Sequence, residues 1–127
     1  MRAADTNVLV RLIARDDSRQ VALAEAFIVP GAWVPLLALV EAMWVLSTVY
    51  ERNPKQVSTA IEMLLDHKHL VLQEPETVMS ALRLFRKRPA LGFSDCLMLE
   101  VARKAGHLPL GTFDKNLGKA GGAQRLR

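Results

Sequence analysis

The first fourteen residues, Met1-Arg2-Ala3-Ala4-Asp5-Thr6-Asn7-Val8-Leu9-Val10-Arg11-Leu12-Ile13-Ala14, set the reading of the fold. Arg2-Ala3-Ala4 is a short strand that ends on an acid, Asp5. Residues 6–14 are then a helix, because Val8, Leu9, Leu12 and Ile13 recur at the i, i+3, i+4 spacing of one helical face. A strand handing over to a helix is the first half of a βα unit.

The alternation continues outward from there. Asp16, Asp17 and Ser18 break the first helix and offer N-caps to a second over residues 19–28, which Pro30-Gly31 stops. Trp33-Val34-Pro35 is a short strand, followed by a strongly apolar helix over 36–52. Asn53-Pro54 places a cap and then a proline at the first helical position, predicting a helix through 66. Leu70-Val71-Leu72 is a strand, and Pro75 opens a helix to 87. Past the turn-like Ala90-Leu91-Gly92-Phe93, Ser94 is read as the cap of a helix to 105, with Gly106 as its stop. Residues 108–113 are the next strand, ending on Asp114; the tail 118–122 is glycine-rich, with a short basic strand around Arg125. Short strands alternating with helices imply a three-layer α/β/α fold with a short, mostly parallel central sheet, covered on both faces.

Composition agrees. The chain has 127 residues, 50% hydrophobic and 24% charged, which describes one globular domain over 1–127. At this size folding buries roughly two-thirds of the unfolded surface. The single cysteine, Cys96, excludes an intramolecular disulfide and with it a cystine-held secreted scaffold. Asp5 and Arg11 interrupt the first apolar stretch, against a signal peptide. The longest apolar segment, 36–50, carries Glu41, whereas a membrane span takes about 20 apolar residues. A soluble, cytoplasmic protein is expected. Residues 1–63 hold six Lys/Arg against seven Asp/Glu, a net of −1, and 64–127 hold eleven against six, a net of +5. A basic half suits a polyanionic partner, although a solvated surface explains it equally well.

In a parallel sheet, ligands bind beyond the carboxyl ends of the strands, so acids there carry the functional signal. Asp5 and Asp114 each end a strand; the plainer reading is that an acid in that position caps the next helix. Glu41 lies among apolar residues on every side of its helix. An ionised carboxylate there must reach a cation, a metal or a solvated cleft, unless it pairs with Arg11 or reaches the surface. Asp95 lies in the first turn of a helix, where the dipole alone favours an acid. Carboxylates that converge on one strand crest repel one another unless a hard cation neutralises them. Oxygen-only ligation suits Mg²⁺ or Mn²⁺, and the chemistry implied is phosphate-ester hydrolysis.

Four segments carry a resemblance. Asp5-Thr6-Asn7-Val8-Leu9-Val10-Arg11, Glu41-Ala42-Met43-Trp44-Val45-Leu46, Phe93-Ser94-Asp95-Cys96-Leu97 and Gly111-Thr112-Phe113-Asp114-Lys115 resemble the motifs of PIN-domain ribonucleases. Their order, their spacing and the chain length most resemble the toxins of VapBC-type toxin–antitoxin pairs, essentially end to end. The resemblance implies a magnesium-dependent endoribonuclease with Asp5, Glu41, Asp95 and Asp114 as the acidic site. Asp5 and Asp95 would touch the metal directly, Glu41 would act through water, and Asp114 would complete the cluster. Thr6, Asn7 and Thr112 would be supporting polar groups, with Thr112 orienting Asp114. It also implies a homodimer and a small DNA-binding antitoxin whose C-terminal segment covers the cleft. The sequence departs from the pattern where many relatives carry further acids, at Gly92 and Asn116, which puts a second metal in doubt.

Other residues divide between roles. Lys115 and Lys119, and Arg11, are candidates for RNA phosphates; Arg83, Arg86 and Lys87 share one helix face, read as a solvated face ahead of a hold on an RNA backbone. His67 and His69 are read as exposed loop histidines, not ligands. Cys96 is read as core, Trp33 and Trp44 as packing residues, and Met43, Trp44 and Tyr50 as contributors to an apolar patch. Two other function classes compete. One is a catalytically inactive module of the same fold that binds RNA or protein. The other is a receiver-like signalling domain, disfavoured because Asp16-Asp17 lies too far past the first helix.

Overall fold

The computed structural model describes all of residues 1–127. It contains six α-helices and five short strands, all paired in parallel, as the α/β reading requires. No helix is long and apolar enough to cross a membrane. The strands lie in two hydrogen-bonded ladders, and the chain divides into two compact units, Met1–Pro75 and Glu76–Arg127.

In the first unit the order is β1 (Arg2–Ala3), α1 (Thr6–Ala14), α2 (Ser18–Ile28), β2 (Ala32–Val34), α3 (Leu36–Thr48), α4 (Pro54–Asp66) and β3 (Leu70–Leu72). The sheet runs β1-β2-β3, with Arg2 opposite Ala32 and Val34 opposite Leu72. Each crossover is a pair of helices, as parallel neighbours require. Local chemistry starts them. Asp5 accepts the Val8 N–H at 3.1 Å, and Asp17 accepts that of Gln20 at 3.0 Å. Asn53 and Gln56 form a reciprocal capping box on either side of Pro54. Helix α1 packs on α2 and α3, burying Leu9, Val10 and Leu12; Val8 and Ile13 of the expected stripe are half-buried. With Ile28, Leu39, Leu46, Ile61 and Leu64 these side chains form the core of the unit. Each contributes roughly 1.5–3 kcal/mol by burial. The middle residues of β2 and β3, Trp33 and Val71, are exposed.

Helix α3 ends at Thr48, four residues before the expected 52. The Ser47 and Thr48 hydroxyls donate back to the Met43 and Trp44 carbonyls, and the backbone then widens. Tyr50 N–H reaches Val45 O, Arg52 N–H reaches Leu46 O, and Glu51 turns left-handed at φ +53°.

The second unit is built from α5 (Pro75–Lys87, which begins at the unit boundary), α6 (Phe93–Ala105), β4 (Leu110–Thr112) and β5 (Ala123–Arg125). Two short 3₁₀ turns, Pro89–Leu91 and Leu117–Lys119, complete it. Strands β4 and β5 pair in parallel, Leu110 opposite Ala123. The ladder starts at Leu110 rather than at 108, with Leu110 N–H donating to Gly122 O at 2.8 Å. Val78, Leu82 and Phe85 of α5 are buried, as are Phe93, Cys96, Leu97 and Leu99 of α6. The Phe85 and Phe93 rings meet edge-on at 6.0 Å.

Ser94 is not the cap of α6. The helix starts two residues earlier than that cap would set it, at Phe93, and Gly92 takes the cap position at φ +79°. Burial of Leu91 and Phe93 on either side of Gly92 fits the bend falling there. An acid at position 92 would be strained in that backbone, which accounts for glycine at that place in the motif. Gly118 answers a different need: a Cβ there would lie 2.6 Å from Arg125 Cβ.

Candidate functional site

In the first unit, β1 delivers Asp5 to the start of α1, and α3 brings Glu41 to the same place. Thr6 Oγ1 donates to Glu41 Oε2 at 2.8 Å, tying two helices together across 35 residues of sequence. Asp5, Thr6 and Glu41 line one cavity of about 320 Å³ with Ala3, Ala4 and Pro35. Glu41 is exposed and borders this cleft, so it escapes its apolar surroundings by reaching the surface. On α3, Leu37, Glu41 and Trp44 form an exposed face, opposite the buried Leu39, Ala42, Met43 and Leu46. The alternative pairing with Arg11 does not form. Arg11 donates to Asp16 Oδ1 at 2.8 Å and to the Tyr50 hydroxyl at 3.0 Å, and that hydroxyl donates to Asp16 Oδ2 at 2.7 Å. The Tyr50 hydrogen bond is the first cause that holds the Asp16 carboxyl below its ordinary range.

Asn7 faces elsewhere. With Asp5, Arg11, Gln20 and Phe27 it lines a second cavity, of about 490 Å³, so Asp5 stands at both. The expected apolar patch of Met43, Trp44 and Tyr50 does not exist: Met43 is buried, Tyr50 is half-buried in the Arg11–Asp16 network, and only Trp44 is exposed.

In the second unit, Asp95 sits in the first turn of α6 and Asp114 follows β4. Asp95 is half-buried, and no donor meets its carboxylate. Its carboxyl is pushed above the usual range, first by burial and second by the charge of Asp114. Asp114 is exposed; its Oδ1 accepts the Leu117 N–H at 2.8 Å, and its own N–H donates to Thr112 Oγ1 at 3.0 Å. Thr112 thus orients the backbone of Asp114. Lys115 and Lys119 are exposed beside it, and Asn116 offers its carbonyl to Arg88 at 3.3 Å. Arg83, Arg86 and Lys87 are exposed on α5.

Two remaining candidates are structural. Cys96 is fully buried, its thiol pushed up to about 11 chiefly by burial, and it serves the core. His67 and His69 are half-buried, not exposed, with rings 5.7 Å apart. The His69 N–H donates to His67 Nδ1 at 3.1 Å, which takes that nitrogen out of ligation. One residue that sequence reasoning passed over is Phe113, 77% exposed between Thr112 and Asp114. The available signal was strand alternation, which puts Phe113 on the face opposite Leu110 and Thr112.

The donor set suits a hard divalent cation. All four acids offer carboxylate oxygens. Asp5, Glu41 and Asp114 each give one oxygen to a donor within their own unit and keep the other free, while Asp95 keeps both. Within neither unit do three His, Cys, Asp or Glu side chains gather as a metal cage. Mg²⁺ does not require one, since it commonly takes one or two carboxylates and completes its octahedron with water.

Comparison with curated proteins and with solved structures finds no match. The profile of the PIN domain matches residues 3–123, running through both units and all four acids. PIN domains are generally nucleases, of three-layer α/β/α fold, and the helices and parallel strands described above are those of that class. With nearly its whole length matched, this chain belongs to the PIN-domain family.

Proposed function

We propose that this PIN domain is a metal-dependent endoribonuclease, the toxin of a type II toxin–antitoxin pair. It hydrolyses RNA phosphodiester bonds in the cytoplasm and is neutralised by a cognate antitoxin. Asp5, Glu41, Asp95 and Asp114 are its acidic residues, Mg²⁺ or Mn²⁺ its cofactor, a homodimer its working form and residues 1–127 its single domain.

The observation that supports this best is Asp95. A carboxylate that is half-buried, set beside a like charge and left without a donor is a cost to the fold that a bound cation would reduce. When bound, the ion would lower the pKa of its water and offset charge on the leaving oxygen. Asp95, with two free oxygens, and Asp5, with one, are the residues to hold it. Glu41 is steadied by Thr6 and keeps Oε1 free to orient the attacking water and take its proton. Asp114 adds the remaining negative charge, its turn fixed by Thr112 and Leu117. Lys115 and Lys119 meet substrate phosphates better than Arg11, whose guanidinium is already engaged by Asp16 and Tyr50.

The test is cleavage of an end-labelled pool of small RNAs by the purified chain in Mg²⁺, Mn²⁺ or EDTA, beside Asp5→Asn and Asp95→Asn. Discrete products that need metal and vanish in both variants are expected. A folded, antitoxin-free chain that cuts nothing under any of these conditions would make the protein a binding module instead.

A further inference from the structure

Phe113 is the most exposed aromatic side chain of the molecule. The residue is 77% accessible, against 64% for Trp44 and 37% for Trp33, while Phe85 and Phe93 are buried. Leaving a phenyl ring in water forfeits the gain that burial brings elsewhere in the chain. The ring is nonetheless held on a firm mount. On one side Leu126 N–H donates to Thr112 O at 2.7 Å, anchoring the end of β4. On the other, Asp114 N–H is bonded to Thr112 Oγ1 at 3.0 Å, Gly118 N–H to Asp114 O at 2.9 Å, and Leu117 N–H to Asp114 Oδ1 at 2.8 Å. Backbone on both sides of Phe113 is thus pinned, so a flat partner that settles on the ring orders that side chain and not the loop beneath it.

What surrounds the ring distinguishes among partners. Asp114, Lys115, Asn116 and Lys119 are all exposed, so Phe113 borders a polar and charged loop, with Leu126 across the β4–β5 ladder as its one exposed apolar neighbour there. A protein hot spot is usually set in an apolar, water-excluding patch. A flat aromatic surface with lysines a few residues away fits a nucleobase whose backbone phosphates those lysines can reach.

We propose that Phe113 is a base-stacking platform that seats one nucleobase of single-stranded RNA beside Asp114, with Lys115 and Lys119 on the flanking phosphates. The assignment rests on the nuclease reading and deepens it, by selecting unpaired RNA over duplex. Stacking offers no hydrogen bonds to base edges, so this subsite prefers single strands without choosing a base.

The experiment compares wild type with Phe113→Ala, Phe113→Leu and Phe113→Trp in two assays. In Mg²⁺, cleavage of a labelled single-stranded RNA should show KM raised roughly 5- to 150-fold for Phe113→Ala and Phe113→Leu, the span expected for one lost base stack. The change in kcat should be small, and Phe113→Trp should retain activity. In EDTA, titration with oligouridylate should quench the added tryptophan of Phe113→Trp beyond any change at Trp33 and Trp44 in the wild type. An all-abasic oligomer should not quench it. Melting temperatures of the variants should match the wild type, because the ring is outside the core. Wild-type KM in both Phe113→Ala and Phe113→Leu, or leucine restoring what alanine loses, overturns the platform. So does loss of self-association with RNA affinity unchanged, which would make Phe113 a protein contact. A wild type that cuts nothing refutes the nuclease reading alone, because the EDTA quenching still decides whether Phe113 stacks on a base.

Discussion

Asp5 has two roles that a pair of substitutions separates. Its Oδ1 caps α1 through Val8 N–H at 3.1 Å, and its charge faces the cavity it shares with Glu41. Alanine removes both; asparagine keeps the cap acceptor and removes only the charge. Loss of an N-cap side chain costs about 1 kcal/mol. For a chain of 127 residues the unfolding entropy makes that about 4 °C in Tm. Asparagine is as good a cap as aspartate. The charge it removes favoured the helix N-terminus by about 0.5 kcal/mol at an exposed site, so its Tm should fall by no more than about 2 °C. Cleavage should behave differently: both variants should lose roughly 100-fold or more, since changes even to groups that only support metal ligands typically cost 10–100-fold. Thermal melts and initial cleavage rates in Mg²⁺, at a temperature where every variant is folded, check this. Asp5→Asn cutting at the wild-type rate would refute the reasoning and leave Asp5 a helix cap alone.

The raised carboxyl of Asp95 has a definite sign. Between the ordinary value near 3.8 and its higher folded value, the fold binds more protons than the unfolded chain, so stability falls as pH rises through that window and the cost persists above it. Asp95→Asn should therefore melt above the wild type at pH 7 in EDTA, with the difference vanishing below the ordinary value; a lower melt would show a structural bond. Mg²⁺ at ten times its Kd should stabilise the wild type by about 1.4 kcal/mol, about 5 °C, and leave Asp95→Asn unmoved in differential scanning fluorimetry. Asn53→Ala breaks the capping box of α4 and should lower stability by about 1 kcal/mol in urea melts while RNA cleavage per folded molecule stays at the wild-type value. The Cys96 thiol should react with Ellman's reagent only on unfolding, and fast labelling of the native protein would contradict its burial.

Much of the fold was legible because its signals are short-range. The Asp5, Asp17 and Asn53 caps each act on a backbone group three residues away, and Pro54, Pro75 and Gly106 punctuate by their own backbone preferences. Helices α1, α4 and α5 accordingly have the boundaries their sequences predict. The end of α3 was less legible, since nothing in an apolar run announces that Ser47 and Thr48 will bond backwards and that Glu51 will turn left-handed. Ser94 is a good cap in isolation; the bend fell at Gly92 between two buried neighbours.

For the site, the sequence by itself supplied the acids, their order and the family they belong to, because strand ends and helix starts are local features. Only the tertiary structure decided who meets whom. It chose Thr6 as the partner of Glu41 across 35 residues and gave Arg11 to Asp16 and Tyr50. Asp95 was left without a donor beside Asp114, and Phe113 in water. A helix cap is settled by dihedral angles within four residues, whereas these pairings depend on which helix faces pack together, a property of the whole core that no single segment encodes.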